Sequence, residues 1–356
     1  MSHHSNFLEI NKKNLIFNYN YLNSLSDKNL TAATIKANAY GLGDIEAFKM
    51  LYNAGCKHFF LATFDEAIRI RKKYSYGFLY ILNGINKDNI KKILREKNII
   101  PIINSIDQLK LLNKKKLNNY KKFNFGIHID TGINRLGINI SDLQKITSTH
   151  KIKIIMSHLS SADESNNYYN KLQNNRFKKA VSSFKNIEIL SFANSAGIKL
   201  GKEYLYNLTR PGIALYGGHN NTELRKKIKP VIKLKAEIIQ IKKINKNQYV
   251  GYNQTFKTKK NTVIAIIAIG YGDGLPRSLS NNGYVYYKKK KFKIIGRVSM
   301  DTCTIDITRY HKFLKIGKFV DIINYQYDVE KFAKKCSTIS NEILTSITPR
   351  VKRIYI

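Results

Sequence analysis

The chain contains no tryptophan, only 3 cysteines and 5 prolines in 356 residues, and 24 acidic side chains against 62 lysines and arginines. Each shortage excludes something. Cys56, Cys303 and Cys336 are far apart, odd in number and without C-x-x-C spacing, which argues against a zinc knuckle or a redox pair, so no metal is expected and the compartment reads as reducing. No stretch approaches the roughly 18 uninterrupted apolar residues of a membrane span. The segment Met1-Ser2-His3-His4 opens no basic-then-apolar leader, so a cytoplasmic protein with no membrane partner is expected. With 43% hydrophobic residues, 20 glycines and charges spread throughout, the composition is globular, neither collagen-like nor disordered.

The net charge of +38 would by itself suggest nucleic acid or an anionic membrane surface. Lysine is scattered, however, as in Lys114-Lys115-Lys116 and Lys288 to Lys291, without clustered arginine or stacking aromatics. It reads as solvated faces, and no nucleic-acid partner is expected.

The length is about twice that of a typical domain. Eight short apolar runs recur at 31–36, 58–63, 78–84, 99–105, 123–130, 151–158, 187–195 and 207–215, separated by polar segments of helical length. Several are apolar at consecutive positions, as in Phe78-Leu79-Tyr80-Ile81-Leu82, which suits parallel strands covered on both faces. Eight such units predict an α/β fold, a (β/α)8 TIM-like barrel over residues 1–225, with an open doubly wound sheet as the alternative. Asn11 is placed to cap a helix with Leu15, Tyr19 and Leu22 on one face, and Asp65-Glu66-Ala67 opens another after Thr63. Beyond about residue 225 the pattern turns to period two, as in Ile232-Lys233-Leu234-Lys235-Ala236, which predicts a mostly-β C-terminal domain over 226–356.

In a βα barrel, functional groups project from the C-terminal ends of the strands. The first run ends at Lys36; the fifth ends in His128-Ile129-Asp130-Thr131-Gly132, the sixth in Ser157-His158, the seventh in Ala193-Asn194-Ser195 and the eighth in Thr209-Arg210-Pro211-Gly212-Ile213. Taken alone, Lys36 reads first as a surface lysine, and a core imidazole is the alternative reading of His158. Together, a lysine suited to an aldehyde, a phosphate cradle after strands seven and eight, and a cation near a ring nitrogen describe a pyridoxal phosphate site.

The segments Ile35-Lys36-Ala37-Asn38-Ala39-Tyr40-Gly41, Asp130-Thr131-Gly132 with Arg135-Leu136-Gly137, Ala193-Asn194-Ser195-Ala196-Gly197, Arg210-Pro211-Gly212-Ile213, Ile269-Gly270-Tyr271-Gly272-Asp273-Gly274 and Gly296-Arg297-Val298-Ser299-Met300-Asp301 occur in that order. Together they resemble the motifs of the alanine racemase family. The resemblance implies a cytoplasmic isomerase that uses pyridoxal 5'-phosphate to interconvert L- and D-alanine, the latter for peptidoglycan. Lys36 and Tyr271 would be the two catalytic bases, Tyr271 reaching the site from the other subunit of a homodimer. Tyr40, Ser195, Gly212 and Ile213 would bind the phosphate, Arg210 the ring nitrogen, and Asn194 the cofactor. His158 would link Tyr271 to Arg210, Arg135 would lie near the cofactor hydroxyl and substrate, and Met300 would contact the substrate carboxylate. This chain departs from several members in carrying His128 where they have a carbamylated lysine, Pro349 where some have a phosphate-binding tyrosine, and Gly272 and Leu42 where alanine and histidine are more usual. A racemase of broader range acting on serine, lysine or arginine, a non-catalytic cofactor carrier and a decarboxylase are the competing readings.

Overall fold

The computed structural model describes residues 4–26, 30–113, 123–146, 151–219 and 222–356; Lys114-Lys115-Lys116 and the start of the chain at Met1 lie outside them. The eight apolar runs all contain strands. The first is split into Leu30–Thr31 and Ala33–Thr34, followed by His58–Leu61, Phe78–Ile81, Ile99–Ile103, Asn124–Asp130, Lys151–Met156, Ile189–Ser191 and Leu208–Thr209. Neighbours pair in parallel, and the eighth returns to the first through Leu208↔Leu30 and Thr209↔Thr31. Between the seventh and eighth, Asn207 N–H donates to Leu190 O at 3.0 Å and Arg210 N–H to Ala193 O at 2.9 Å. The circle closes, so the barrel expectation holds and the open sheet is excluded.

Closure explains why these runs are apolar at consecutive positions. Ala32, Phe60, Tyr80, Ile100, Ile102, Ile154, Met156, Ile189 and Leu208 form a separate buried cluster from alternate strand positions inside the barrel. Their neighbours Ala33, Phe59, Leu61, Leu79, Ile81, Ile99, Ile103 and Ile155 belong to the larger core shared with the helices. Asn11 caps the helix Lys12–Leu25 by accepting from Asn14 N–H, and this helix buries Leu15, Tyr19 and Leu22 as its spacing predicts. Thr63 and Glu66 form a reciprocal capping box on Phe64–Arg71.

The second sheet is antiparallel in its main part. Its longest strand, Ile232–Ile244, pairs along its first half with Phe319–Ile323 and along its second with Thr262–Ile267, which curls the sheet onto itself. Two short helices, Val329–Lys335 and Ser340–Ser346, pack beside it. Residues 6–10, grouped with the barrel on sequence alone, instead form a strand of this sheet, antiparallel to 232–236 and parallel to 352–355. Their two buried residues, Leu8 and Ile10, are too short a pattern to announce a strand whose partners lie at the far end of the chain. No described helix is long and apolar enough to cross a membrane.

Candidate active site

Lys36 follows the first barrel strand after one intervening residue and opens a turn that L-residues rarely adopt. Ala37, Asn38, Ala39 and Tyr40 all have positive φ, between 51° and 56°. A left-handed turn of non-glycine residues costs roughly 1–2 kcal/mol per residue, so surrounding contacts must hold it. Glu66 is one of them. Its Oε1 accepts from Ala37 N–H at 2.7 Å while its Oε2 accepts from Ala62 N–H at 2.7 Å and Thr63 N–H at 3.3 Å. Asn38 Oδ1 accepts from Asp44 N–H at 2.9 Å, and the Tyr40 ring packs 4.9 Å from that of Tyr216. The second sheet supplies the rest: Arg353 Nε donates to Gly41 O at 3.0 Å and the Tyr355 hydroxyl to Leu42 O at 2.5 Å. Gly41 has φ +82°, and a Cβ there would meet Leu344 O at 2.3 Å, so glycine is required on both counts.

The C-terminal mouth of the barrel holds a cavity of about 490 Å³. Lys36, Tyr40, Arg135, His158, Asn194, Ser195, Arg210, Gly212 and Ile213 all line it, so every residue proposed from sequence to hold the cofactor falls in one place. Burial lowers the pKa of Lys36, Arg135 lowers it further, and Glu66 opposes the shift. Arg210 is buried and donates to Ser191 Oγ, to Ser157 O at 2.5 Å and to Phe192 O at 3.4 Å. Burial pushes its guanidinium down to about 9, which leaves it charged at neutral pH. His158 is held well below the ordinary imidazole value, first by burial and then by the cations Arg210 and Arg135, so it is neutral. Ser195 Oγ accepts from Gly212 N–H at 2.8 Å and Ala214 N–H at 3.4 Å, at the start of the turn Ile213–Tyr216.

Tyr271 and Met300 do not line this cavity. They sit on two loops of the second sheet that are fastened side by side: Tyr271 N–H donates to Ser299 O at 3.0 Å and Gly272 N–H to Met300 O at 2.8 Å. Buried Asp273 accepts from Gly270 N–H at 2.9 Å and pairs with Arg350 Nε at 3.2 Å. Arg350 Nη2 also reaches Asp301 at 2.8 Å. Both side chains project to solvent, 45% exposed for Tyr271 and 53% for Met300. Within one chain, then, the expected link from His158 to Tyr271 is not made. Glu66 and Arg350 were not singled out from sequence. Thr63-x-x-Glu66 reads as a helix cap, and nothing marks that its carboxylate also reaches Ala37.

A closed parallel barrel with a lysine and two further cations at its mouth, joined to a curled antiparallel sheet, is an arrangement suited to a small anionic ligand. Residues 10–220 match the family model "Alanine racemase, N-terminal domain" and residues 231–355 match "Alanine racemase, C-terminal domain". The chain belongs to the alanine racemase family. An alanine racemase of Rickettsia akari is 35% identical over 357 residues, 98% of each chain. A catabolic alanine racemase of Rhizobium johnstonii is 36% identical, covering 95% of this chain and 91% of the relative. Among solved structures, alanine racemase from Bartonella henselae with covalently bound pyridoxal phosphate aligns with TM-score 0.93 and 34% identity, covering 99% of this chain and 100% of that one.

Proposed function

We propose that this protein is a pyridoxal-5'-phosphate-dependent alanine racemase that interconverts L- and D-alanine by two bases, supplies D-alanine for peptidoglycan, and works as a cytoplasmic homodimer with shared active sites. The observation that carries the reading is the convergence of Lys36, Arg210 and the Tyr40–Ser195–Gly212 corner on one cationic cavity.

The corner fits a phosphate. A Cβ on Gly212 would come within 2.5 Å of the Tyr40 hydroxyl, so only glycine lets that phenol, the Ser195 hydroxyl and the backbone of 212–213 approach one point. Lys36 would bind the aldehyde, Tyr40, Ser195, Gly212 and Ile213 the phosphate, and Arg210 the ring nitrogen, with Asn194 and His158 flanking. When bound, the cofactor supplies an electron sink that acidifies the substrate Cα–H. The protein moves the proton. The lowered pKa of Lys36 favours a neutral amine able to take the Cα proton from one face. Inversion is then served by a second group on the opposite face, because a single base must either swing across the ring or return the proton to the side it came from. The partner subunit's Tyr271 fills that place, and its own exposed position outside the cavity of its chain supports the dimer. Met300, on the loop fastened to that of Tyr271, would accompany it toward the substrate carboxylate.

Gly212→Ala is expected to weaken cofactor binding about tenfold, read from visible-absorbance titration, with little change in melting temperature. A Cβ at this position would displace the Tyr40 phenol, which lies 2.5 Å from where it would stand. An unchanged cofactor affinity would remove this corner from the phosphate site.

The direct test is to incubate the protein with pyridoxal phosphate and L-alanine in deuterated water, following Cα exchange and D-alanine formation together. L-serine and L-lysine run in parallel to decide substrate breadth. Exchange with inversion establishes the racemase; exchange without inversion leaves Lys36 as a base and removes Tyr271; bound cofactor with no exchange favours a carrier.

A further inference from the structure

The mouth cavity is not walled by the barrel alone. Asn341, from the short helix Ser340–Ser346 beside the second sheet, lines it together with Tyr40, Ser195, Gly212 and Ile213. That helix is wedged against the barrel at two glycines. Its far end backs onto Gly41 through Leu344 O. Its near end meets Gly218, where a Cβ would stand 2.6 Å from Ile213 Cγ1 and 3.1 Å from Ser340 Cβ, so the helix start and the Ile213 side chain converge on one point. Glu330 fastens this end. Its Oε1 accepts from His219 N–H at 2.7 Å and from the Ser340 hydroxyl at 2.6 Å. One carboxylate oxygen thus joins the helix Val329–Lys335, the loop after the turn Ile213–Tyr216, and Ser340, which is fully buried.

Asn341 therefore has a fixed place, yet its side chain is unspent. The backbone carbonyl accepts from Thr345 Oγ1 at 2.8 Å, while the half-buried side-chain amide has no hydrogen-bond partner among the described residues. An amide nitrogen carries two donors, and leaving them unpaired in a partly desolvated wall costs free energy. The ligand proposed for this corner has the complementary need, since a phosphate monoester presents three strong acceptor oxygens. Ser195 Oγ already accepts from two backbone N–H groups, which leaves it one proton to donate, and the Tyr40 phenol adds one more. His219, which also lines the cavity, brings no charge at neutral pH: burial lowers its pKa against the opposing Glu330 and Asp328.

We infer that Asn341 is a further phosphate-binding residue: the Glu330 clamp holds it at the phosphate end of the mouth, where its side-chain amide donates to a phosphate oxygen. The inference rests on the functional reading above for the identity of the ligand. It gives the second sheet's own chain a part in holding the cofactor, with Glu330 as the positioning residue.

The test compares two aldehydes, pyridoxal 5'-phosphate and pyridoxal, which differ only in the phosphate, by titrating the visible absorbance of the lysine-bound form. Asn341→Ala is expected to weaken pyridoxal phosphate about tenfold, the loss of one hydrogen bond to a charged acceptor, and to leave pyridoxal within about twofold. Asn341→Asp keeps the shape but sets a like charge against the phosphate, so about a hundredfold loss is expected, again confined to the phosphorylated aldehyde. An acidic residue suits the first turn of a helix, so the melting temperature of the cofactor-free aspartate variant should not fall, and misfolding is excluded as the cause. Equal loss for both aldehydes, or no loss for either, overturns the inference. Glu330→Ala is expected to weaken pyridoxal phosphate as Asn341→Ala does, and the two together no more than either alone. Glu330→Gln, whose side-chain oxygen still accepts both bonds, is expected to stay within about threefold of the unsubstituted protein. If alanine at 330 changes nothing, or glutamine is no better than alanine, Glu330 does not position Asn341. Should Glu330→Ala not fold, the Asn341 variants and Glu330→Gln decide the matter. Failure of the functional reading looks different: the unsubstituted protein then forms no lysine-bound absorbance with either aldehyde.

Discussion

Lys36→Ala, mixed with pyridoxal phosphate, is expected to show none of the visible absorbance of a lysine-bound cofactor and to lose alanine racemisation by about a thousandfold or more. On the proposed roles two losses combine, since the same amine would anchor the aldehyde and remove a proton. The alternative explanation, a collapsed fold, is answered by the sign of the pKa shift. A lysine whose folded pKa lies below its ordinary value of 10.5 destabilises the folded state at every pH below that folded value. The penalty then fades as pH rises toward 10.5. Removing the amine removes the penalty, so at neutral pH the melting temperature of the cofactor-free variant should not fall on this account. A variant that keeps the absorbance would return Lys36 to the status of one more surface lysine.

Tyr271→Phe is expected to separate the two enantiomers. At equilibrium L- and D-alanine have equal free energy, so kcat/KM for racemisation must fall equally in both directions, by about 10²–10⁴ for the loss of one proton-transferring group. Solvent exchange at Cα carries no such constraint. On the proposed roles Lys36 would still remove and return the proton of D-alanine, so deuterium is expected to wash into D-alanine while L-alanine exchanges about as slowly as it racemises. The ring of Tyr271 is 45% exposed within its chain, and deleting a hydroxyl there should leave stability within about 0.5 kcal/mol. Equal loss of exchange from both isomers would overturn the two-base assignment. Equal retention would point to a base other than Tyr271.

The barrel was legible because closure demands it of each strand. Phe59 and Phe60, or Leu79 and Tyr80, are adjacent in sequence and buried on opposite sides of one wall, so the runs are apolar throughout and stand out from the polar helices. The residues that line the mouth cavity were legible for a related reason, since Lys36, His158, Asn194 and Arg210 are polar groups placed where those runs stop. What sequence did not reveal depends on distance or on direction. The strand at residues 6–10 is defined by partners at 232–236 and 352–355, and its own pattern is too brief to show them. Four consecutive left-handed residues at 37–40 include no glycine, so no residue type gives the turn away. The second role of Glu66 is hidden behind its first as a cap. His128 could be seen as a departure from the family pattern, but which of its nitrogens holds the proton depends on Asn104, a residue on a neighbouring strand's end whose amide is oriented by two carbonyls.

The turn that carries Lys36 is anchored by Arg353 and Tyr355, which has a consequence for how the protein is made. Translation delivers the barrel strands first and these two side chains long afterwards. When the barrel strands have all been made, residues 37–40 still lack part of what opposes their backbone strain. The strand at 6–10 waits as well, since both of its neighbours come from the later part of the chain. The surroundings of Lys36 are thereby completed only after Arg353 and Tyr355 have been made, and a chain interrupted before Arg353 lacks these two anchors of the turn.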